Sequence, residues 1–252
     1  MKRTGEVGYQ SVSSATSTIL LILSFIALEG CSQPFAGTSF VQRPPESSEP
    51  DTVAHSRVSD PAESRLSHAA ERYGPLVRKY SDAFGMDWAL VMAVIHQESK
   101  FDHQAVSRTG AYGLMQIMPV TQAELSDKLG VDETVTPRNN IKAGIYHLRK
   151  LYGQFHASGR EDRVRLTLAA YNAGIGRIQD AQHIASYLGN DPNRWESVKQ
   201  ALPLLSRNSY TLHARIWPDG KPSSGYFRNA RETSEYVDAV TDYYQDYAMA
   251  LR

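Results

Sequence analysis

From about His68 to the C-terminus, the apolar residues of this chain recur at helical spacing. Residues 68–85 predict one or two short helices, with Gly85 as the stop. Asp87 is placed to cap the next helix, which runs through Val91, Val94 and Ile95 into Glu98. Pro119 opens a third helix and Gly130 closes it. In residues 139–155, Ile141, Ile145, Leu148 and Tyr152 share one face at i, i+4, i+7 and i+11. Another helix ends at Gly174. The last starts near Thr233 and carries Tyr236, Val237, Val240, Tyr243 and Tyr244 at helical spacing. A weak strand candidate lies over residues 210–216, within one long irregular insertion between Leu188 and Glu232. Residues 217–226 read as a loop by their Pro, Gly and Ser content. The expectation is a compact, mainly α domain without internal repeats.

The N-terminal part has a different pattern. Lys2 and Arg3 precede an apolar run over residues 19–28 that is too short for a membrane span of about 20 residues. It has the length of a signal-peptide core. The run ends in Leu28-Glu29-Gly30-Cys31, which resembles the lipobox of bacterial lipoproteins, with Glu29 departing from the usual small residue. The resemblance implies a signal peptide over residues 1–30, cleavage before Cys31, acylation of its thiol and attachment to a membrane. Ser32 after the cysteine fits sorting to the outer membrane, with the domain on the periplasmic face. Residues 31–67 are rich in Ser, Pro, Glu and Asp and read as a disordered, flexible tether.

Composition narrows the chemistry. The chain has 27 basic and 27 acidic residues, so its overall charge gives no sign of a nucleic-acid partner. Its single cysteine excludes an internal disulfide and a cysteine-based zinc site. The 8 histidines contain no H-E-x-x-H pattern, and no EF-hand loop is present, so neither a metal nor another cofactor is expected. His96 falls on a different helix face from Glu98 and reads as structural.

Glu98 stands where a leucine would be expected, in line with Val91, Val94 and Ile95. Burial on an apolar face and the negative end of a helix dipole both raise a carboxyl pKa. A carboxyl protonated near neutral pH is what a general acid requires. Alternatively, a salt bridge to Arg or Lys holds a buried glutamate for structural reasons. Residues 110–119 combine glycines, which permit tight turns, with Met115, Gln116 and Met118, and read as one wall of a groove. In residues 169–174, small alanines allow close helix packing, and Tyr171 and Asn172 project polar groups at a helix end.

Four ordered motifs carry a family resemblance: Glu98-Ser99, GLMQIMP at 113–119, AAYNAG at 169–174 and RETSEYV at 231–237. Together they resemble the soluble-lytic-transglycosylase (SLT) family, over residues 68–252. Residues 195–210 are similar to its membrane-bound lytic murein transglycosylase F branch. Asp102-His103 departs from the family's common Asn-Pro. The resemblance implies a lysozyme-like fold of the goose-type kind and Glu98 as sole catalytic acid/base. It also implies glycan contacts from Ser107, Met115, Gln116 and Met118, and places Tyr171, Asn172 and Tyr236 near the acid. The implied substrate is the peptidoglycan strand, cleaved without water to a 1,6-anhydromuramoyl end. The alternatives are a goose-type lysozyme-like hydrolase, for which Asp102 is the nearest second carboxylate, and a non-catalytic glycan-binding lipoprotein.

Overall fold

The computed structural model describes residues 61–130 and 136–250. The expected signal peptide, Cys31 and residues 31–60 of the expected tether lie outside the described residues. The described part is helical, in the order α1 (Pro61–Phe84), α2 (Trp88–Ser99), α3 (Pro119–Leu129), α4 (Pro137–Gln154), α5 (Arg160–Ala173), α6 (Ile175–Tyr187), α7 (Trp195–Ala201), α8 (Tyr210–Ile216) and α9 (Ala230–Ala250). Among the described residues β pairing is limited to isolated bridges, Val106 with Tyr112 and Tyr112 with Ile117.

The central element is α2. Every residue from Ala89 to Ile95 is buried, so the helix is apolar all round and enclosed by its neighbours. Asp87 starts it as expected, its carboxylate accepting the Ala89 N–H at 3.0 Å. Helix α9 packs along α2, and α5 packs on α9; α1, α4 and α5 follow one another around the same core. Ile141, Ile145 and Leu148 of α4, Leu166 and Leu168 of α5, and Val237 and Val240 of α9 are fully buried. Each such side chain contributes about 1.5–3 kcal/mol by leaving water. Tyr152, the fourth member of the expected α4 stripe, is half-buried at the edge of this core.

Three expectations change. Helix α1 begins at Pro61 rather than near His68, so residues 61–67 are helical and not tether. It is one helix, with Pro75 inside it. The strand candidate is α8: Leu212 and Ile216, at i and i+4, pack against the core, and His213 between them is fully buried with Nε2 2.7 Å from the Leu204 carbonyl. Alternation at positions 210, 212, 214 and 216 is also compatible with a one-sided helix, and packing decides between the two. Within the insertion, residues 195–216 are nearly all helical, through α7, 3₁₀ turns at Leu202–Leu205 and Arg207–Ser209, and α8, with Trp195, Leu202 and Leu205 in the core. Helix α6, which starts directly after Gly174, was not singled out by periodicity.

Candidate active site

Glu98 lies in the last turn of α2. The chain then reverses through Lys100 and Phe101, both in the left-handed region at φ 50° and 63°. A buried, non-glycine residue such as Phe101 in that region is strained backbone, held by its packing in the core. The turn directs residues 101–118 back across the end of α2. Ser99 ties the two together, its hydroxyl 2.9 Å from the Leu114 carbonyl.

The Glu98 carboxylate is half-buried and accepts one strong hydrogen bond, from the Tyr236 hydroxyl of α9 at 2.6 Å. Burial raises its pKa to about 7, and the Tyr236 bond opposes the rise only in part. No basic side chain pairs with it among the described ion pairs, so the salt-bridged, purely structural alternative has no partner. Tyr236 itself is buried, and its own pKa is driven well up by desolvation and by the neighbouring carboxylate. It therefore serves as a proton donor to Glu98 that stays protonated throughout the neutral range.

Tyr171 of α5 approaches from another side. Its hydroxyl donates to the Met115 carbonyl at 2.7 Å, and its pKa is raised well up, first by burial and then by the charge of Glu98. Asn172, the next residue, is exposed; its side-chain oxygen accepts the hydroxyl of fully buried Thr233 at 2.9 Å. Thr233 stands one helical turn before Tyr236 on α9. Asn172 and Thr233, with Thr109, Arg177, Arg228 and Asn229, line part of a cavity of about 520 Å³.

The 105–118 loop is tightly hydrogen-bonded. Gln116 sits at φ 45°, and its side-chain N–H groups donate to the Ala105 and Gly113 carbonyls at 3.0 and 2.8 Å. Its amide nitrogen thus closes the loop on itself. Ser107 is half-buried; its oxygen accepts the Ala111 N–H and lies 3.0 Å from the Thr109 hydroxyl. Met118 is exposed at 38%. Met115 is not: its side chain is fully buried and packs on Gly144 of α4, so it offers the groove no apolar surface. Expectation had placed it on the groove because sequence alone does not reveal which side of an irregular loop faces inward.

The site also contains residues that sequence reasoning missed. Asn140 of α4 is 1% exposed; it accepts the Met115 N–H at 2.8 Å and donates to the Tyr112 carbonyl at 2.9 Å. Its available signal was an amide one residue before the apolar stripe that begins at Ile141. Thr233 was named only as a helix start. His96 stacks on Tyr243 with ring centres 4.0 Å apart, away from Glu98, in the structural role expected of it. Asp102 is exposed and accepts the Gln104 N–H at 2.9 Å, a turn-capping role.

This helical domain, with a half-buried acid in the last turn of its central helix, has the lysozyme-like fold. Residues 75–192 match the Transglycosylase SLT domain model, and that segment belongs to the family. The chain is 39% identical over 174 residues to the membrane-bound lytic murein transglycosylase F of Desulfosudis oleivorans, an alignment spanning 69% of this chain and 36% of that one. It is 33% identical over 176 residues to the protein of the same name from Histophilus somni, across 69% of this chain and 35% of that one. The chain thus spans about a third of the length of the curated relatives it matches. Among solved structures, the 70 kDa soluble lytic transglycosylase SLT70 of Escherichia coli aligns with a TM-score of 0.50 and 25% identity, over 75% of this chain and 26% of that one.

Proposed function

We propose that this chain is a peptidoglycan lytic transglycosylase in which Glu98 acts alone as acid and then base. The observation that carries the reading is the environment of Glu98: burial raises its pKa to about 7, a tyrosine opposes the rise, and no neighbouring carboxylate contributes. Paired-carboxylate glycosidases need a second acid within reach of the sugar. Asp102 is committed to its turn, and Glu232, at the cavity, accepts the Asn229 amide at 2.6 Å.

A substrate that supplies the missing groups suits a single acid. In a MurNAc-β-1,4-GlcNAc strand, protonated Glu98 gives its proton to the bridging oxygen as the C1–O bond breaks. The 2-acetamido group of MurNAc shields the positive charge developing at C1. The Glu98 carboxylate, held by Tyr236, then removes the proton of the C6 hydroxyl, whose oxygen closes on C1. The products are a 1,6-anhydromuramoyl end and a free GlcNAc hydroxyl; the proton returns to Glu98 and no water is consumed. Ser107, Gln116, Met118 and Asn172 are the groove residues proposed to contact the glycan. Lipidated Cys31 is proposed to hold the domain at the periplasmic face of the outer membrane.

Mass spectrometry of the fragments released from purified peptidoglycan tests the reading. Anhydro ends are expected. Reducing ends, heavier by one water, would assign a hydrolase, and binding without cleavage would assign a glycan-binding protein.

A further inference from the structure

Tyr171 and Tyr236 both reach the neighbourhood of Glu98, yet only Tyr236 donates to it. The Tyr171 proton goes to the Met115 carbonyl instead, and Met115 is itself held at its N–H. Asn140 uses both ends of its amide on the loop, accepting from Met115 N and donating to the Tyr112 carbonyl. Gly113 lies so close that a Cβ there would be 2.7 Å from the Asn140 amide carbon and nitrogen. Gly144, from the same helix, closes on the Met115 side chain. Met115 is thus held at its backbone N–H and at its side chain.

We propose that Asn140 is a positioning residue for the catalytic acid. By pinning Met115, it keeps the Met115 carbonyl under the Tyr171 hydroxyl, so that Tyr171 commits its proton to the loop and Glu98 keeps a single donor. The role rests on Glu98 being the working acid. An asparagine fits it because its amide accepts from the Met115 N–H and donates to the Tyr112 carbonyl from two separate atoms without bringing a charge into the core. The consequence concerns the acid's proton affinity. A second donor would favour the carboxylate form and lower the pKa. The other groups around the pair do not substitute for this control. His147 of α4, whose ring centre is 5.5 Å from that of Tyr171, is kept uncharged at neutral pH by burial, with a pKa of about 4. On α2, His96 packs on Tyr243 and Lys100 is exposed. On the loop, Asp102 is turned to the Gln104 N–H.

The test is a carboxyl-carbon NMR titration of Glu98, which reads the proton affinity without any assay of activity. A failure here is therefore separate from a failure of the proposed reaction, which is judged by product mass. In Tyr171→Phe the Glu98 pKa is expected to stay within about 0.3 of the parent, because the lost hydroxyl bonded to the loop. In Asn140→Ala it is expected to fall by about half a unit or more, roughly a threefold loss of proton affinity, as Tyr171 swings to the carboxylate. Asn140→Ala/Tyr171→Phe is expected to return to the parent value, which a merely structural loss would not do. An unmoved Asn140→Ala, or a double variant that stays shifted, overturns the proposal. If the Asn140 variants do not fold, Tyr171→Phe alone decides. A pKa rise there as large as that in Tyr236→Phe would show that Tyr171 already donates to Glu98.

Discussion

The chemistry of Glu98 follows from a conflict between burial and one hydrogen bond. Its folded pKa of about 7 lies above the ordinary value of 4.5, so the folded state holds the proton more tightly than the unfolded chain. Its contribution to stability is therefore full below about 4.5 and is lost as pH rises through about 7. Glu98→Gln, which cannot ionise, is expected to be more stable than the parent at pH 8, by up to about 3 kcal/mol, with the advantage vanishing at pH 4.5. Denaturant unfolding at the two pH values checks this. The same substitution is expected to lower cleavage by at least about a thousandfold with an unchanged helical spectrum, since among the described residues Asp102 and Glu232 are engaged elsewhere. Tyr236→Phe removes the one donor to the carboxylate. It is expected to raise the Glu98 pKa, moving the alkaline limb of the kcat/KM profile to higher pH. A limb that moved down would contradict the hydrogen bond as drawn.

Among the helices, α4 shows how close packing and intrinsic propensity compete. Gly144 lies mid-helix, where glycine is unfavourable by about 1 kcal/mol against alanine. A Cβ there would stand 2.7 Å from the Met115 Cβ. Gly144→Ala is thus expected to destabilise by about 1–3 kcal/mol through overpacking. Gly153, near the end of the same helix, has nothing within 4 Å of its Cβ position, so Gly153→Ala is expected to stabilise by about 0.5 kcal/mol or more. Paired melting temperatures measure both. The elements also show where sequence patterns suffice. Helices α2, α4 and α5 were legible because long apolar stripes and end signals such as Asp87 and Gly174 agree with one another. The short α8 was not, because seven residues hold too few periods to separate a strand from a helix.

Across the molecule, the Glu98 end of α2 is built by elements far apart in the chain: the 101–118 loop, α5 and α9. The proposed anchor is Cys31. If it is lipidated, the full chain is expected in the detergent-soluble membrane fraction. Cys31→Ser should appear in the soluble fraction with the domain's cleavage of isolated peptidoglycan intact. Retention of Cys31→Ser in the membrane would remove the lipid from the proposal.

By itself, the sequence determined the longer helices α2, α4, α5 and α9, that one of them ends in an acid on an apolar line, and which tyrosines and asparagine cluster in motifs. These are local properties, written in spacings of three and four residues and in the turn residues between them. Only the tertiary structure decided the partners. Tyr236, 138 residues away, reaches Glu98, while Tyr171 turns to a loop carbonyl that Asn140 holds in place. Met115 likewise faces the core and not the groove. Periodicity marks the face a helix must bury, but which polar atom meets another is settled by packing between distant segments, where each buried donor must find its acceptor.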